Sequence, residues 1–143
     1  MTNISSSLAL SPEIYRVIDA NLNRLKEGIR VVEDLMRYLY NNKNLSKKLK
    51  SLRHLARYEN IDALLKHRDS INDVLRPSVE SELNRGDLNS IIIANFKRAQ
   101  ESSRVLEELF KLEDIKQSEN FKHIRYELYD AEKEVIKITS NSK

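Results

Sequence analysis

The stretch ANLNRLKEGIRVVEDL (residues 20–35) returns as ANFKRAQESSRVLEEL (residues 94–109), with Ala, Asn, Arg, Glu, Arg, Val, Glu and Leu coinciding at an offset of 74. Around the first copy, Ile18, Leu22, Leu25, Ile29, Val32, Met36 and Leu39 recur at spacings of three and four, the period of an amphipathic helix. The likeness continues downstream, where LKSLRH (49–54) faces FKHIRY (121–126) at an offset of 72. Each half therefore reads as one helical hairpin. Two hairpins make an all-α, four-helix-bundle-like fold with a pseudo-twofold axis, and such bundles place ligand sites between facing helices.

Local signals set the expected boundaries. Ser11 before Pro12 and Glu13 is an N-cap followed by a first-turn proline and an acid at the positive end of the helix dipole, so a helix is expected over 12–41, broken by Asn41 to Asn44. A second is expected over about 46–58, and Asn60 caps a short third one over about 61–67. Asp87 caps a long helix over about 88–112, and Ser118 a last one over about 119–138. Residues 69–86 carry Pro77 and Gly86 and no helical period, and so read as a working loop or a segment holding one short helix. The 143 residues suit a single helical domain, with residues 1–10 expected to be flexible.

Composition narrows the function classes. Two glycines and two prolines are too few for a chain of β-hairpins. Cysteine is absent, so no disulfide framework or thiolate metal site exists. Against 22 acidic residues there are 25 Lys and Arg, a net charge of only +3, which argues against nucleic-acid binding by bulk charge. The opening MTNISSSLALSP lacks the basic start and apolar run of a signal peptide, and no apolar run approaches membrane-spanning length, so a cytoplasmic protein without a membrane partner is expected. No GxxxxGK[ST] or GxGxxG loop is present. None of His54, His67 and His123 follows a glutamate by three, which removes the carboxylate–histidine pattern of di-iron bundles.

What both copies retain is a polar ladder, Asn-x-x-Arg-x-x-Glu-x-x-Arg, while core positions drift: Ile29 stands against Ser103 and Met36 against Phe110. On a helical wheel Asn21 falls inside the apolar stripe, Arg24 at its edge, Glu27 beyond it and Arg30 nearly opposite, and Asn95, Arg98, Glu101 and Arg104 repeat that placement. Two readings follow. One is a structural network in which Glu27 pairs with Arg24 or Arg30; the other is a converging site for an anion, since arginine's planar fork suits phosphate and carboxylate. Arg68, Asp69 and Asp73 open the irregular segment, where carboxylates beside a basic cleft suit Mg²⁺ held together with phosphate oxygens.

DANLNRLKEGIRVVEDLMRY (19–38), LKSLRH (49–54), RDSINDV (68–74) and ANFKRAQESSRVLEELFK (94–111) resemble, in order and spacing, a small bacterial kinase family. Its members act on hydroxymethylpyrimidine phosphate in thiamine biosynthesis, alone or fused to thiamine-phosphate synthase. The likeness spans about residues 14–130, and the chain departs from it at Leu75, where the family has glycine, and at Ser102-Ser103, where it has an alanine–leucine pair. The resemblance implies a standalone enzyme that transfers the γ-phosphoryl of ATP to 4-amino-5-hydroxymethyl-2-methylpyrimidine phosphate, with Mg²⁺. It implies that Arg24, Arg53, Arg98 and Arg125 clamp phosphates in a shared pocket, supported by Lys50, His54 and Lys122. Asn21 and Asn95 then read the aminopyrimidine or orient the arginines, and Arg68 neutralises transition-state charge. Glu27, Glu101, Asp69 and Asp73 serve magnesium or substrate, with Asp69 also in the catalytic set. Small-molecule substrates are the expected partners, with homo-oligomerisation open. The competing classes are a non-catalytic helical module docking on a thiamine-pathway enzyme and a mutase-like bundle that handles small anions.

Overall fold

A computed structural model describes residues 10–79 and 83–141. It is all-α, with five α-helices and no strand among the described residues: α1 (Pro12–Asp34), α2 (Lys43–Leu55), α3 (Ile61–His67), α4 (Leu88–Leu109) and α5 (Ile115–Asn141). α1 lies against α2, α3 and α4; α5 lies against α4 and α2. One apolar core fills the space between them, built from Ile18, Leu25, Ile29, Leu49, Phe96, Leu106, Phe121 and Leu128 among others. Of the stretch 1–10, residues 1–9 lie outside the described residues and Leu10 packs half-buried against this core.

The caps act as their side chains dictate. The Ser11 Oγ accepts from the Ile14 amide at 3.2 Å, Asn60 Oδ1 from Ala63 at 3.2 Å and Asp87 Oδ1 from Ser90 at 2.8 Å. Several boundaries differ from expectation: α2 ends at Leu55 rather than about 58, and α5 runs 115–141 rather than about 119–138. α1 ends in a π-helical turn, Leu35–Leu39, closed by Asn41 at φ 52 and by the Asn42 amide donating to Met36 O; Asn42 then caps α2, which starts three residues earlier than its apolar period shows. Ser118 is no cap: it lies buried inside α5, and its hydroxyl donates to Glu107 O at 2.7 Å. Of the irregular segment, residues 71–79 are exposed without helix, and residues 80–82 lie outside the described residues.

α1 and α4 approach most closely at Gly28. A Cβ there would stand 2.8 Å from the carbonyl oxygen of Asn95 and 3.3 Å from the Ala99 Cβ, so only glycine admits this crossing. The repeat is legible in local geometry. Asn21 Nδ2 donates to Val17 O and Asn95 Nδ2 to Ile91 O, each one turn back, at 2.9 and 2.8 Å. Arg30 pairs with Asp34, and Arg104 with Glu108.

Candidate functional site

The first half of α1 presents Glu13, Arg16, Val17, Ala20 and Arg24 along one flank, at helical spacing. After α3 the chain turns back across that flank, and three contacts hold it there. Arg68, in extended conformation, sets its fork on the buried carboxylate of Asp19, with Nε 2.7 Å from Oδ2 and Nη2 2.6 Å from Oδ1. Arg16 Nη2 donates to Asp69 O at 2.9 Å. The rings of Tyr15 and His67 stack 5.8 Å apart. Between helix and turn lies a cleft of about 660 Å³, into which Asn21, Arg24, Arg68, Asp69 and Asp73 all face.

Its electrostatics are of mixed sign. Arg24 is exposed with no ion pair among the described residues, and Arg16 spends one nitrogen on a backbone carbonyl, so two guanidinium groups are open to a ligand. Arg68 is committed to Asp19, which raises its already high pKa. Asp69 accepts from both the side-chain and the backbone nitrogen of Asn72, and these bonds hold its carboxyl below the usual carboxylate range. Asp73 Oδ1 accepts from the Leu75 amide at 3.0 Å. The turn thus carries two carboxylates, each with a lone pair to spare, opposite the two open arginines. Among the described residues no three His, Asp or Glu side chains form a protein-only metal cage. The donor set at Asp69 and Asp73 matches the one or two carboxylates with which Mg²⁺ is bound beside phosphate oxygens.

The expected shared pocket for all four repeated arginines is not what the fold builds. Arg53 is turned onto Glu33 (Nε–Oε1 2.7 Å, Nη2–Oε2 3.1 Å) and Arg125 onto Glu107 (Nε–Oε1 3.0 Å), and both glutamates are buried. The two ion pairs are repeat-related, because the second Glu of each copy is retained along with its Arg. Lys50 lines a separate hollow at the start of α2, with Arg37, Lys43 and Lys47. His54 lines another with Arg53, and Glu101 shares a third with Arg125. Arg98, Glu27 and Lys122 are exposed on their helices. Glu27 pairs with neither Arg24 nor Arg30, since Arg30 turns to Asp34. Asn95 is half-buried on α4, its amide on Ile91 O rather than beside Asn21.

Several contributors are not legible from the chain alone. Arg16 and Asp19 fasten the turn, and Asp19 opens the motif DANLNR, yet nothing in its spacing separates a buried anchor from a surface acid. Glu33 and Glu107 carry a usable signal, being identical in the two copies and one turn beyond the polar ladder. Tyr126 and Tyr129 pack on Arg125, edge to face at 5.9 Å, with the Arg125 guanidinium 4.9 Å from the Tyr126 ring.

The chain matches the model of the ThiD2 family over residues 16–134, and it belongs to that family. It is similar to the thiamine-phosphate synthases of Prochlorococcus marinus strain AS9601 (34% identity over 131 residues, 91% of this chain and 37% of that protein) and of Synechocystis (38% over 120 residues, 83% and 35%). The thiamine-phosphate synthase of Rhodopirellula baltica is 37% identical over 134 residues, 90% of this chain and 34% of that protein. The chain spans about a third of the length of these relatives. No solved structure matches it.

Proposed function

We propose that this member of the ThiD2 family works in thiamine biosynthesis as a kinase with a phosphate acceptor, transferring the γ-phosphoryl group of ATP to 4-amino-5-hydroxymethyl-2-methylpyrimidine phosphate. Family membership and kinship with thiamine-phosphate synthases support the pathway. The observation that carries the chemistry is the cleft between α1 and the turn after α3, where two open arginines face two carboxylates.

The acceptor's phosphate oxygen is largely ionised near neutrality, since its second pKa is about 6, so no catalytic base is needed. That oxygen forms a bond to the γ-phosphorus while the bond to the β–γ bridging oxygen breaks; ADP leaves and no proton moves. The difficulty is bringing two polyanions together in line. Arg24 and Arg16 hold the acceptor phosphate as charge-assisted donors, and Asn21, its Nδ2 spent on Val17 O, offers Oδ1 to an amino group on the ring. Arg68, fixed by Asp19, keeps the turn and its carboxylates in register across the cleft. Asp69 and Asp73 would hold Mg²⁺, which would supply charge neutralisation of the donor phosphates. With Glu13, Asp69 and Asp73 along the wall, metal-free ATP meets three carboxylates for two open arginines, and binding without Mg²⁺ is disfavoured.

ADP release coupled to a spectroscopic readout tests this. Release with the pyrimidine monophosphate and Mg²⁺, but not with the unphosphorylated alcohol, is the expected result. No release with the monophosphate, or equal release with both, contradicts it. A second reading, a docking module, draws on the exposed Ile71, Val74 and Leu75 at the tip of the turn; such a module binds neither ligand.

A further inference from the structure

Arg53 and Arg125, each held by its buried glutamate, Glu33 or Glu107, each line a surface hollow, of about 360 Å³ and 400 Å³. The repeat makes each hollow a control for the other. Around Arg125 stand Gln100, Tyr126 and Tyr129, with Lys97, Glu101 and Arg104 completing the lining, and the tyrosines close over the guanidinium: Arg125 Nη1 lies 3.4 Å from the Tyr129 hydroxyl. Around Arg53 the positions equivalent to Gln100, Tyr126 and Tyr129 hold Lys26, His54 and Arg57. The floor arginine is unchanged, while these three positions, neutral around Arg125, are Lys, His and Arg around Arg53. The acid bonded at this floor is Glu33, and its two oxygens are both spent on Arg53, whereas Glu101 and Glu132 offset the cations around the second hollow. The Lys26 ammonium, the Arg57 guanidinium and the His54 ring make no hydrogen bond or ion pair within the protein among the described residues.

We propose that the hollow formed by Lys26, Arg53, His54 and Arg57 is a phosphate-binding site for a small phosphorylated molecule, separate from the cleft of Arg24. Arg53 is held in place before any anion arrives. Both Glu33 bonds fix its plane, so its free Nη1 meets an anion with little rotamer entropy left to lose. Lys26 and Arg57 come from α1 and from the residues after α2, and they bring charge from two sides. A concave pocket with three unpaired basic side chains and no carboxylate in its lining concentrates a compact, highly charged anion more than it fits a flat macromolecular surface.

Binding at this hollow does not depend on kinase activity and is tested without turnover. Inorganic pyrophosphate is titrated calorimetrically into the protein in EDTA, where the carboxylates of the Arg24 cleft repel an uncomplexed anion. Saturable binding is expected, weakened at least tenfold in Lys26→Ala/Arg57→Ala and altered less than twofold in Arg24→Ala. Both replaced side chains are at the surface, and an unchanged thermal melt of the double variant verifies its fold. Absence of saturable binding, or binding lost in Arg24→Ala but kept in the double variant, overturns the proposal.

Discussion

Replacing Arg24 by alanine separates a ligand-binding arginine from a structural one. Arg24 is exposed on α1, makes no ion pair among the described residues, and lines the cleft. Alanine is the better helix former by a few tenths of a kcal/mol, and an exposed change away from any partner stays within about 0.5 kcal/mol. At about 4 °C per kcal/mol for a domain of this size, the melting temperature moves by no more than about 2 °C. Turnover is another matter. A positioned cationic donor aimed at charge that must be brought together and moved accounts for about 10²–10³ in rate. The assays are a thermal melt and kcat/KM for ADP release with the pyrimidine monophosphate. A fall in kcat/KM of less than about fivefold refutes the reasoning, as does a melting temperature that drops in step with activity. Arg68→Ala supplies the contrast, since it strips the buried Asp19 of both bonds. Discounted for the half-exposed arginine, that loss costs about 1–2 kcal/mol, so stability and turnover should fall together.

Other perturbations follow from the same geometry. Gly28→Ala places a methyl group against the Asn95 carbonyl; overpacking of about 1–3 kcal/mol outweighs a helix-propensity gain of about 1, and a melting temperature at or above that of the parent would contradict the close α1–α4 crossing. Arg125→Ala leaves Glu107 buried without its partner, and urea unfolding should report a loss of about 3 kcal/mol against little change for the exposed Arg98→Ala. Hydrogen bonds from the Ser90 amide and hydroxyl hold the Asp87 carboxyl below its ordinary value. Its contribution is therefore complete above the unfolded carboxylate pKa of about 3.9 and disappears as pH falls through the lower folded value. Asp87→Asn keeps the cap and should flatten the acid limb of a melting-temperature profile, whereas an unaltered limb would remove Asp87 from that account. Asp73→Asn should raise the Mg²⁺ concentration for half-maximal turnover at least tenfold while the melt stays put; an unchanged requirement would take Asp73 out of the metal site.

The helices were legible because their signals are local. Ser11, Asn60 and Asp87 each precede an apolar period, and each side chain does bond the amide three residues on. Ser118 misled because a serine that hydrogen-bonds a carbonyl on a neighbouring helix is written with the same letter as a cap. Half of the site could be read for a related reason: Arg68, Asp69 and Asp73 stand where helical period fails, and Asn21 and Arg24 lie on the flank that faces them. Arg53 and Arg125 could not be assigned from the repeat alone. Duplication preserves an ion pair as faithfully as it preserves a ligand contact, and the ion pairs come into view only with the inward position of Glu33 and Glu107.

Backbone amide chemical shifts recorded while the pyrimidine monophosphate is added test the cleft most directly. Perturbations should concentrate at residues 13–24 and 68–73, with the α4–α5 face silent. Shifts that gather instead around Arg98, Glu101 and Lys122, or that touch neither region, would contradict the placement of the acceptor beside α1.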